Sequence, residues 1–397
     1  MQKTVVLGIT GGIAAYKSAE VVSRLTKAGV DVHCVMTEGA QAFVGPVTFQ
    51  ALSGNPVICG MFDGPQHWGV DHIYLAQHAD CVVIAPATAN VIAKAAQGMA
   101  DDMLTSILLA TTAPVLIAPA MNDQMYAHPA TQANIACLRE RGVRIIGPGS
   151  GRLACGTSGT GRMSEPAEIV EHILLQLSDA RDLAGKKVLV TAGPTREAID
   201  PVRYVSNRSS GKMGYALARA AAMRGAEVIL VSGPTALENP IGVTTLRVET
   251  TEEMLQAVQQ HFADADVIIK AAAPADYTVQ APSEEKIKKK ESGEHLQLDL
   301  VTTPDILKWL GEHKINQFLV GFAAETNDAV ANAREKYRSK KLDCLVLNDV
   351  TKQGAGFEVD TNVVTLVDDT GELALPCMPK DEVAMRILDY VAERTAK

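Results

Sequence analysis

Aromatic residues are scarce in this chain: Phe, Trp and Tyr together make up 4% of its 397 residues. Ala, Gly and Val abound instead, which suits helices packed closely on sheets. Positive charge is also in deficit, with 37 Lys and Arg against 46 Asp and Glu for a net charge of −9. That argues against a broad nucleic-acid-binding face, which needs a basic footprint, and leaves room only for local basic pockets. The seven cysteines (Cys34, Cys59, Cys81, Cys137, Cys155, Cys344 and Cys377) form no C-x-x-C pair and no disulfide framework, the usage of reduced thiols in the cytosol. Long hydrophobic runs are missing too. The longest, Ser106 to Met121, is broken by Thr111, Thr112, Pro114 and Pro119, so no membrane span is expected. The first strand is preceded by no secretory h-region or cleavage site, and a soluble cytoplasmic protein is the expectation.

What is present is ordinary soluble composition, 47% hydrophobic and 21% charged, in a length that favours two or three domains. Thr4–Thr10 (TVVLGIT) is a continuous apolar run, the pattern of a parallel strand covered on both faces. Gly11-Gly12 then makes a tight turn, Ile13–Ala28 has helical spacing, and Val30–Met36 reads as a second strand. Such a unit aims helix N-terminal N–H groups at the turn, ready for a phosphate, although a plain tight turn would read the same way. Further strands are expected at Cys81–Ala85, Val115–Ala118 and Val143–Ile146, which makes an open, mostly parallel α/β sheet. Their loops, Pro86–Asn90, Pro119–Asn122 and Gly147–Gly149, should line one site beyond the strands' carboxyl ends. Gly149–Met163, with five glycines around Cys155, reads as a mobile flap. Pro166 opens an amphipathic helix, and the polar stretch Ser178–Lys186 reads as a domain boundary.

The alternation restarts at Lys187–Thr191, with strands expected at Glu227–Ser232, Thr244–Val248, Asp266–Ala271, Phe318–Ala323 and Cys344–Leu347. A helix is expected over Tyr215–Gly225 and another over Asp381–Ala396. Between Lys286 and Val301 a basic run, a turn and a period-two Leu pattern predict a projecting β-hairpin. No repeat recurs at a fixed period. The Gly211-Lys212 pair imitates the end of a phosphate-binding P-loop, but that motif needs Gly and Ser/Thr where this chain has Ser206 and Met213. It is not a P-loop.

Several residues carry possible chemistry. His72 precedes an apolar helical segment, and an imidazole near its ordinary pKa of about 6.5 suits a general base. A lone His is more often a structural hydrogen-bonder, and the spacing of His67, His72 and His78 does not make a metal cluster. Asn122, at a strand end, can donate to a carboxylate or simply cap a loop. Cys155, with an ordinary thiol pKa of about 8.5, could serve as a proton donor or be inert. Asn207 lies where it could meet an activated carbonyl, and Asp276 where it could bind a ribose, a base edge or a metal. Lys286, Lys288, Lys289 and Lys290 form one basic run, and Lys336, Lys340 and Lys341 another. Most such lysines are solvated surface, yet two clusters in an acidic protein favour a polyphosphate site.

The motifs T-G-G-I-A-A-Y-K, A-P-A-T-A-N, P-A-M-N-D-Q-M-Y, A-C-G, T-A-G-P-T-R-E, N-R-S-S-G-K-M-G, E-K-I-K-K and G-F-A-A-E-T occur in that order. The series resembles the bacterial bifunctional phosphopantothenoylcysteine decarboxylase/phosphopantothenate–cysteine ligases of coenzyme A synthesis, from Val5 to about Asp349. The resemblance implies two Rossmann-like or flavodoxin-like α/β domains with mostly parallel sheets, the second carrying the hairpin. Residues 1–180 would be an FMN-dependent decarboxylase. Gly11, Gly12, Thr37, Pro86, Ala87, Thr88, Ala89 and Asn90 would hold the flavin. His72 would be its base, Asn122 the residue that holds the substrate carboxylate, and Cys155 the flap proton donor. The implied reaction oxidises the cysteinyl moiety first, so that the thioaldehyde loses CO2 easily, and then reduces the enethiolate.

Residues 181–397 would be the ligase, which joins L-cysteine to 4'-phosphopantothenate through an acyl-cytidylate made from CTP with Mg2+. The resemblance carries nucleotide binding to Lys270, Ala271, Ala272, Asp276, Lys286, Pro304, Asp305, Ile306, Leu307, Phe322, Lys336 and Lys340. Asp276 would face the metal, Asn207 would process the acyl-cytidylate, and Lys286 would be catalytically important. Two departures stand out: Pro274 occupies a position that is often Val and removes a backbone donor, and Thr10 replaces a common Ser but keeps its hydroxyl. Dodecamers of the decarboxylase half and dimers of the ligase half are implied, with neither nucleic acid nor membrane as partner. The alternatives are an NAD(P)-dependent oxidoreductase, which the missing G-x-G-x-x-G opposes, and a non-catalytic flavin-binding regulator, which the presence of His72, Cys155 and a ligase half opposes.

Overall fold

The structure is a computed structural model that describes residues 2–61, 71–152, 156, 158–288, 296–325, 329–349, 356 and 359–395. It divides into two compact units, Met1–Ser178 and Asp179–Lys397. In the first, β1 (Thr4–Ile9), β2 (Asp31–Met36), β3 (Cys81–Ala87), β4 (Val115–Pro119) and β5 (Arg144–Ile145) form a parallel sheet of order β2-β1-β3-β4-β5. Successive side chains along a strand point to opposite faces. Val5, Leu7 and Ile9 pack with the Ala15–Lys27, Pro46–Ser53 and Pro166–Leu177 helices, while Val6 packs with Leu75, Val91, Leu104 and Ile135 on the other face. Both faces are covered, so the strands read as unbroken apolar runs rather than alternating ones.

Parts of the Gly149–Met163 stretch are regular. β6 (Gly149–Arg152) and β7 (Ser158–Arg162) pair antiparallel, with Ser150 Oγ and Thr160 Oγ1 sharing a hydrogen bond across them at 2.9 Å. Turn-forming glycines suggested a loop, whereas the pairing satisfies the backbone between them.

In the second unit the strands are β8 (Lys187–Ala192), β9 (Arg196–Ala198), β10 (Tyr204–Ser206), β11 (Glu227–Ser232), β12 (Val243–Arg247), β13 (Val267–Lys270), β14 (Tyr277–Val279), β15 (Leu300–Thr302), β16 (Phe318–Glu325), β17 (Cys344–Asp349), β18 (Thr361–Asn362), β19 (Val364–Asp368), β20 (Gly371–Ala374) and β21 (Met378–Pro379). Eight of them form one sheet, β12-β11-β8-β13-β16-β17-β19-β20. The first six run parallel, and β19 and β20 add an antiparallel edge. The Lys212–Met223 helix lies so close to β8 that a Cβ on Gly214 would meet Ala192 Cβ at 2.5 Å. Small residues replace the missing aromatics here: Ala216, Ala218, Ala220, Ala221 and Ala222 are all buried.

The predicted hairpin needs correction. The antiparallel pair is β14 with β15, Tyr277 opposite Thr302, so the first arm begins before the lysine run rather than within it. Lys286–Lys288 is irregular. Its anchor is the Asp200–Arg203 turn, where Ile287 N–H donates to Asp200 Oδ2 at 3.2 Å and Arg203 donates to Ile287 O at 2.9 Å. The loop tip, residues 289–295, lies outside the described residues.

Candidate functional site

Each large sheet reverses its strand order once, between β1 and β3 in the first unit and between β8 and β13 in the second. Loops leaving adjacent strands in opposite directions open a crevice there, where ligands of open α/β sheets bind.

In the first crevice Thr10 is fully buried; its Oγ1 donates to Pro86 O at 2.8 Å and accepts from Thr88 N–H at 3.1 Å. One hydroxyl thus joins the Gly11-Gly12 turn to the Pro86–Asn90 loop, where Thr88 caps the Ala89–Gln97 helix. Thr37 N–H donates to Ile9 O at 3.0 Å and brings the β2 loop alongside. Gly11 approaches Gly39 so closely that a Cβ on it would lie 2.9 Å from the Gly39 carbonyl carbon, whereas at Gly12 a Cβ would touch only Thr88 Cγ2, at 3.8 Å. Gly11, Gly12, Thr37, Pro86, Ala87, Thr88, Ala89 and Asn90 therefore come together as a cradle of backbone and hydroxyl groups.

Asn122 caps the short Asp123–Ala127 helix, accepting from Gln124 N–H at 2.9 Å through Oδ1. The loop-capping role is real. The β6–β7 ribbon presses on this loop: Met121 N–H donates to Gly161 O at 2.9 Å, and a Cβ on Gly161 would lie 2.3 Å from Met121 O. Cys155, which falls between β6 and β7 in the sequence, lies outside the described residues, as does His67. His72 is half-buried in the first turn of the Asp71–His78 helix, while His78 turns back on its own helix, 2.8 Å from Tyr74 O. Cys34, Cys81 and Cys344 are core thiols that burial pushes up to about 12, too high for a thiolate at neutral pH.

The second crevice holds a cavity of about 990 Å³ that gathers Asn207, Lys270, Ala271, Ala272, Asp276, Pro304, Asp305, Ile306, Leu307, Phe322, Lys336 and Lys340 into one wall. Arg208, Lys212, Lys308 and Lys380 line it as well. Asp276 and Asp305 are the only carboxylates among its described lining residues, so the cavity favours an anion strongly. Lys270 is half-covered as a residue, but its ammonium end is enclosed and donates to Ala272 O at 3.0 Å. Burial, with Lys336 nearby, pushes its pKa down to about 8. Lys340 donates to Asp305 Oδ2 at 2.5 Å, and Asp305 caps the Ile306–His313 helix by accepting from Lys308 N–H at 2.8 Å. Burial pushes the Asp305 carboxyl up, yet these bonds outweigh it and hold the pKa below the usual carboxylate range.

Asn207 Nδ2 donates to Ala273 O at 3.2 Å and Pro274 O at 2.8 Å. Its loop needs two left-handed glycines in contact, Gly193 and Gly211, both at φ +78°. Pro274 costs this turn no donor bond. Ala273 N–H donates to Gly193 O and Ala275 N–H to Thr195 Oγ1, each at 2.9 Å. Lys286 is exposed and is not among the residues lining the cavity. Asp276 is exposed at the cavity, and the described residues contain no cluster of three or more His, Cys, Asp or Glu able to hold a metal.

Lys380 and Asn348 are among the lining residues that the sequence does not single out. Lys380 is buried and donates to Gly356 O at 3.0 Å and to Val359 O; burial and Lys212 lower its pKa. Placed just after Pro379, it reads as an ordinary helix-start residue, and only tertiary packing brings it to the cavity. Asn348, next to last in β17, has a buried Oδ1 with no hydrogen-bond partner among the described residues. The strand-end rule that singled out Asn122 would have found it.

The family model described as "Flavoprotein" matches residues 1–178, and that described as "DNA/pantothenate metabolism flavoprotein C-terminal domain" matches residues 183–395. The chain is 48% identical over 394 residues to the coenzyme A biosynthesis bifunctional protein CoaBC of Bacillus subtilis (strain 168), covering 98% of this chain and 97% of that one. Against the protein of the same name from Escherichia coli (strain K12), identity is 45% over 394 residues, covering 99% and 97%. The chain belongs to the bifunctional coenzyme A biosynthesis protein family. A crystal structure of the C-terminal domain of a CoaBC protein is 46% identical, covering 54% of this chain and 97% of its own, with a TM-score of 0.47. In this family member the first matched region falls on the unit with the hydroxyl-lined crevice, and the second on the unit with the lysine-lined cavity. No described helix is long and apolar enough to cross a membrane.

Proposed function

We propose that this bifunctional coenzyme A biosynthesis enzyme runs its two reactions on its two units. Residues 181–397 ligate L-cysteine to 4'-phosphopantothenate with CTP, and residues 1–180 decarboxylate the product to 4'-phosphopantetheine with FMN. The observation that carries the ligase half is the cavity itself, where Lys270, Lys336 and Lys340 converge at the strand-order reversal.

A carboxylate is a poor acyl donor, so it must first be activated. On this reading the 4'-phosphopantothenate carboxylate attacks the α-phosphorus of CTP, pyrophosphate leaves, and the cysteine amine displaces CMP from the acyl-cytidylate. The three lysines stabilise charge on the triphosphate and the departing pyrophosphate. Both Asn207 N–H groups are committed to Ala273 O and Pro274 O, which leaves Oδ1 as an acceptor for the attacking amine. With Asp276 as its protein ligand, Mg2+ would be held largely by phosphates and water, the usual manner for Mg2+. Lys286 acts on this cavity only if its arm moves or a second copy supplies it.

In the first unit the crevice fits a flavin: its walls are backbone and hydroxyl groups, with open space in front of Gly12. FMN held there by Gly11, Gly12, Thr37 and the Pro86–Asn90 loop would supply the hydride-transfer chemistry of the decarboxylation. His72 takes the thiol proton as base, Asn122 holds the carboxylate, and Cys155 returns a proton to the product. The enzyme works in the cytoplasm as a homo-oligomer, with dodecamers of the first unit and dimers of the second. Exposed Ile13, Tyr16, Phe43 and Val47 in the first unit support subunit contact there. Neither an NAD(P)-dependent oxidoreductase nor a non-catalytic flavin-binding regulator accounts for a chain matched along both halves.

The test is to supply the purified full-length protein with 4'-phosphopantothenate, L-cysteine, CTP and Mg2+ and follow 4'-phosphopantetheine by mass. Formation of the product is expected, together with a yellow protein that releases its flavin on denaturation. A colourless, folded protein that accumulates no product would overturn the assignment.

A further inference from the structure

The Ala273–Asp276 turn is held from beneath by a buried chain of hydrogen bonds that the proposed reaction does not use. Ala275 N–H donates to Thr195 Oγ1 at 2.9 Å, and Thr195 Oγ1 lies 2.8 Å from Thr251 Oγ1. Thr251 Oγ1 and the Thr251 N–H both donate to Glu197 Oε1, at 2.8 and 2.9 Å. Thr195, Thr251 and Glu197 are 0%, 1% and 5% exposed. An ionised carboxylate only accepts. The Thr251 proton therefore goes to Glu197, the Thr195 proton to Thr251, and Thr195 is left to accept from Ala275. Glu197 thus sets the direction of the Thr195–Thr251 bond, the one link in the chain between two hydroxyls. It also sits at the first turn of the Thr251–Phe262 helix, where the aligned peptide dipoles favour negative charge.

The end of the chain matters to the cavity. Ala273 O and Pro274 O anchor Asn207, Ala275 O accepts from Thr303 Oγ1 at 2.6 Å, and Asp276 O accepts from Thr303 N–H at 3.0 Å. One short turn therefore fixes two cavity residues, and a chain of bonds through Thr195 and Thr251 ties it to Glu197.

We propose that Glu197 is a positioning residue of the ligase half, which acts through Thr251 and Thr195 to hold the Ala273–Asp276 turn in the geometry that receives the nucleotide. The proposal rests on the cavity being the CTP site. It does not place Glu197 in contact with substrate.

The test uses full-length Glu197→Ala, Glu197→Gln, Thr195→Val and the Thr195→Val/Glu197→Ala double variant. Each is assayed for CTP-dependent pyrophosphate release and, on the same preparation, for decarboxylation of 4'-phosphopantothenoylcysteine. Glu197→Ala is expected to raise the KM for CTP by about tenfold, with decarboxylation unchanged. Glu197→Gln keeps an acceptor for Thr251 and should recover most of that loss. Thr195→Val keeps the shape but removes the acceptor for Ala275, so it should raise the KM alone, even if Glu197→Ala fails to fold. Because both changes cut one path, the double variant should be no worse than the larger single. A KM for CTP unchanged in Thr195→Val, or losses that multiply in the double variant, overturns the proposal. Wild-type protein that releases no pyrophosphate with CTP overturns the ligase reading instead, and is told apart by that control.

Discussion

The two units place a crevice by the same device and furnish it in opposite ways. In each, the sheet reverses its strand order once, between β1 and β3 or between β8 and β13. The first crevice is made of close glycines and a buried hydroxyl, with Thr10 bridging two loops. The second is filled with cations, some of them partly stripped of water, such as Lys270. Topology thus says where a ligand goes, and side chains brought from neighbouring elements decide which ligand. A flat aromatic cofactor needs close backbone walls, whereas a triphosphate needs charge.

The largest effect that would separate the halves is expected from His72→Ala. Loss of a general base costs roughly a hundredfold to ten-thousandfold, so decarboxylation should fall that far while pyrophosphate release is unchanged. Steady-state rates of both reactions on one preparation check it, and parallel losses would break the comparison. Lys340→Ala should do the reverse, lowering CTP-dependent kcat/KM by about a hundredfold with decarboxylation intact.

A smaller effect is expected from Thr10→Val, which leaves Thr88 N–H and Pro86 O unpaired at a cost of about 1–3 kcal/mol. Thermal unfolding should show the loss confined to the first transition, with weaker flavin retention in equilibrium dialysis. Retained flavin affinity would mean that the bridge is not part of the cradle.

The smallest effect is a pH dependence from Lys270, whose pKa is pushed down to about 8. Phosphate favours the ammonium form, so CTP affinity should fall by a few-fold as pH rises through about 8. Stability should move the other way. Between about 8 and the ordinary lysine value of about 10.4 the unfolded chain binds the extra proton, so the Lys270 contribution rises with pH across that window. Binding titrations and denaturant unfolding at matched pH values test both signs, and Lys270→Met should flatten the two curves.

Much of this was legible in the sequence because both sheets are buried on two faces. Thr4–Thr10, Cys81–Ala85 and Lys187–Thr191 are apolar runs of strand length bounded by small residues, and each lies on a central strand. The cavity residues on β13, β16 and the Ile306–His313 helix come from the family resemblance, not from local pattern. Long-range pairing was harder. The antiparallel β17–β19 and β14–β15 pairs depend on partners that no local period names. Lys380 reaches the cavity only through the packing of the last helix, and the Glu197–Thr251–Thr195 chain joins residues 54 to 56 positions apart.

The central claim is that the lysine-lined cavity is the site of a CTP-dependent acyl activation. Its most direct measurement is pyrophosphate release by the full-length protein, with CTP or ATP and with 4'-phosphopantothenate supplied or withheld. Release that requires CTP and 4'-phosphopantothenate together, and whose kcat/KM Lys340→Ala lowers by about a hundredfold, is the predicted result. Equal turnover with ATP, or release that Lys340→Ala leaves unchanged, would contradict it.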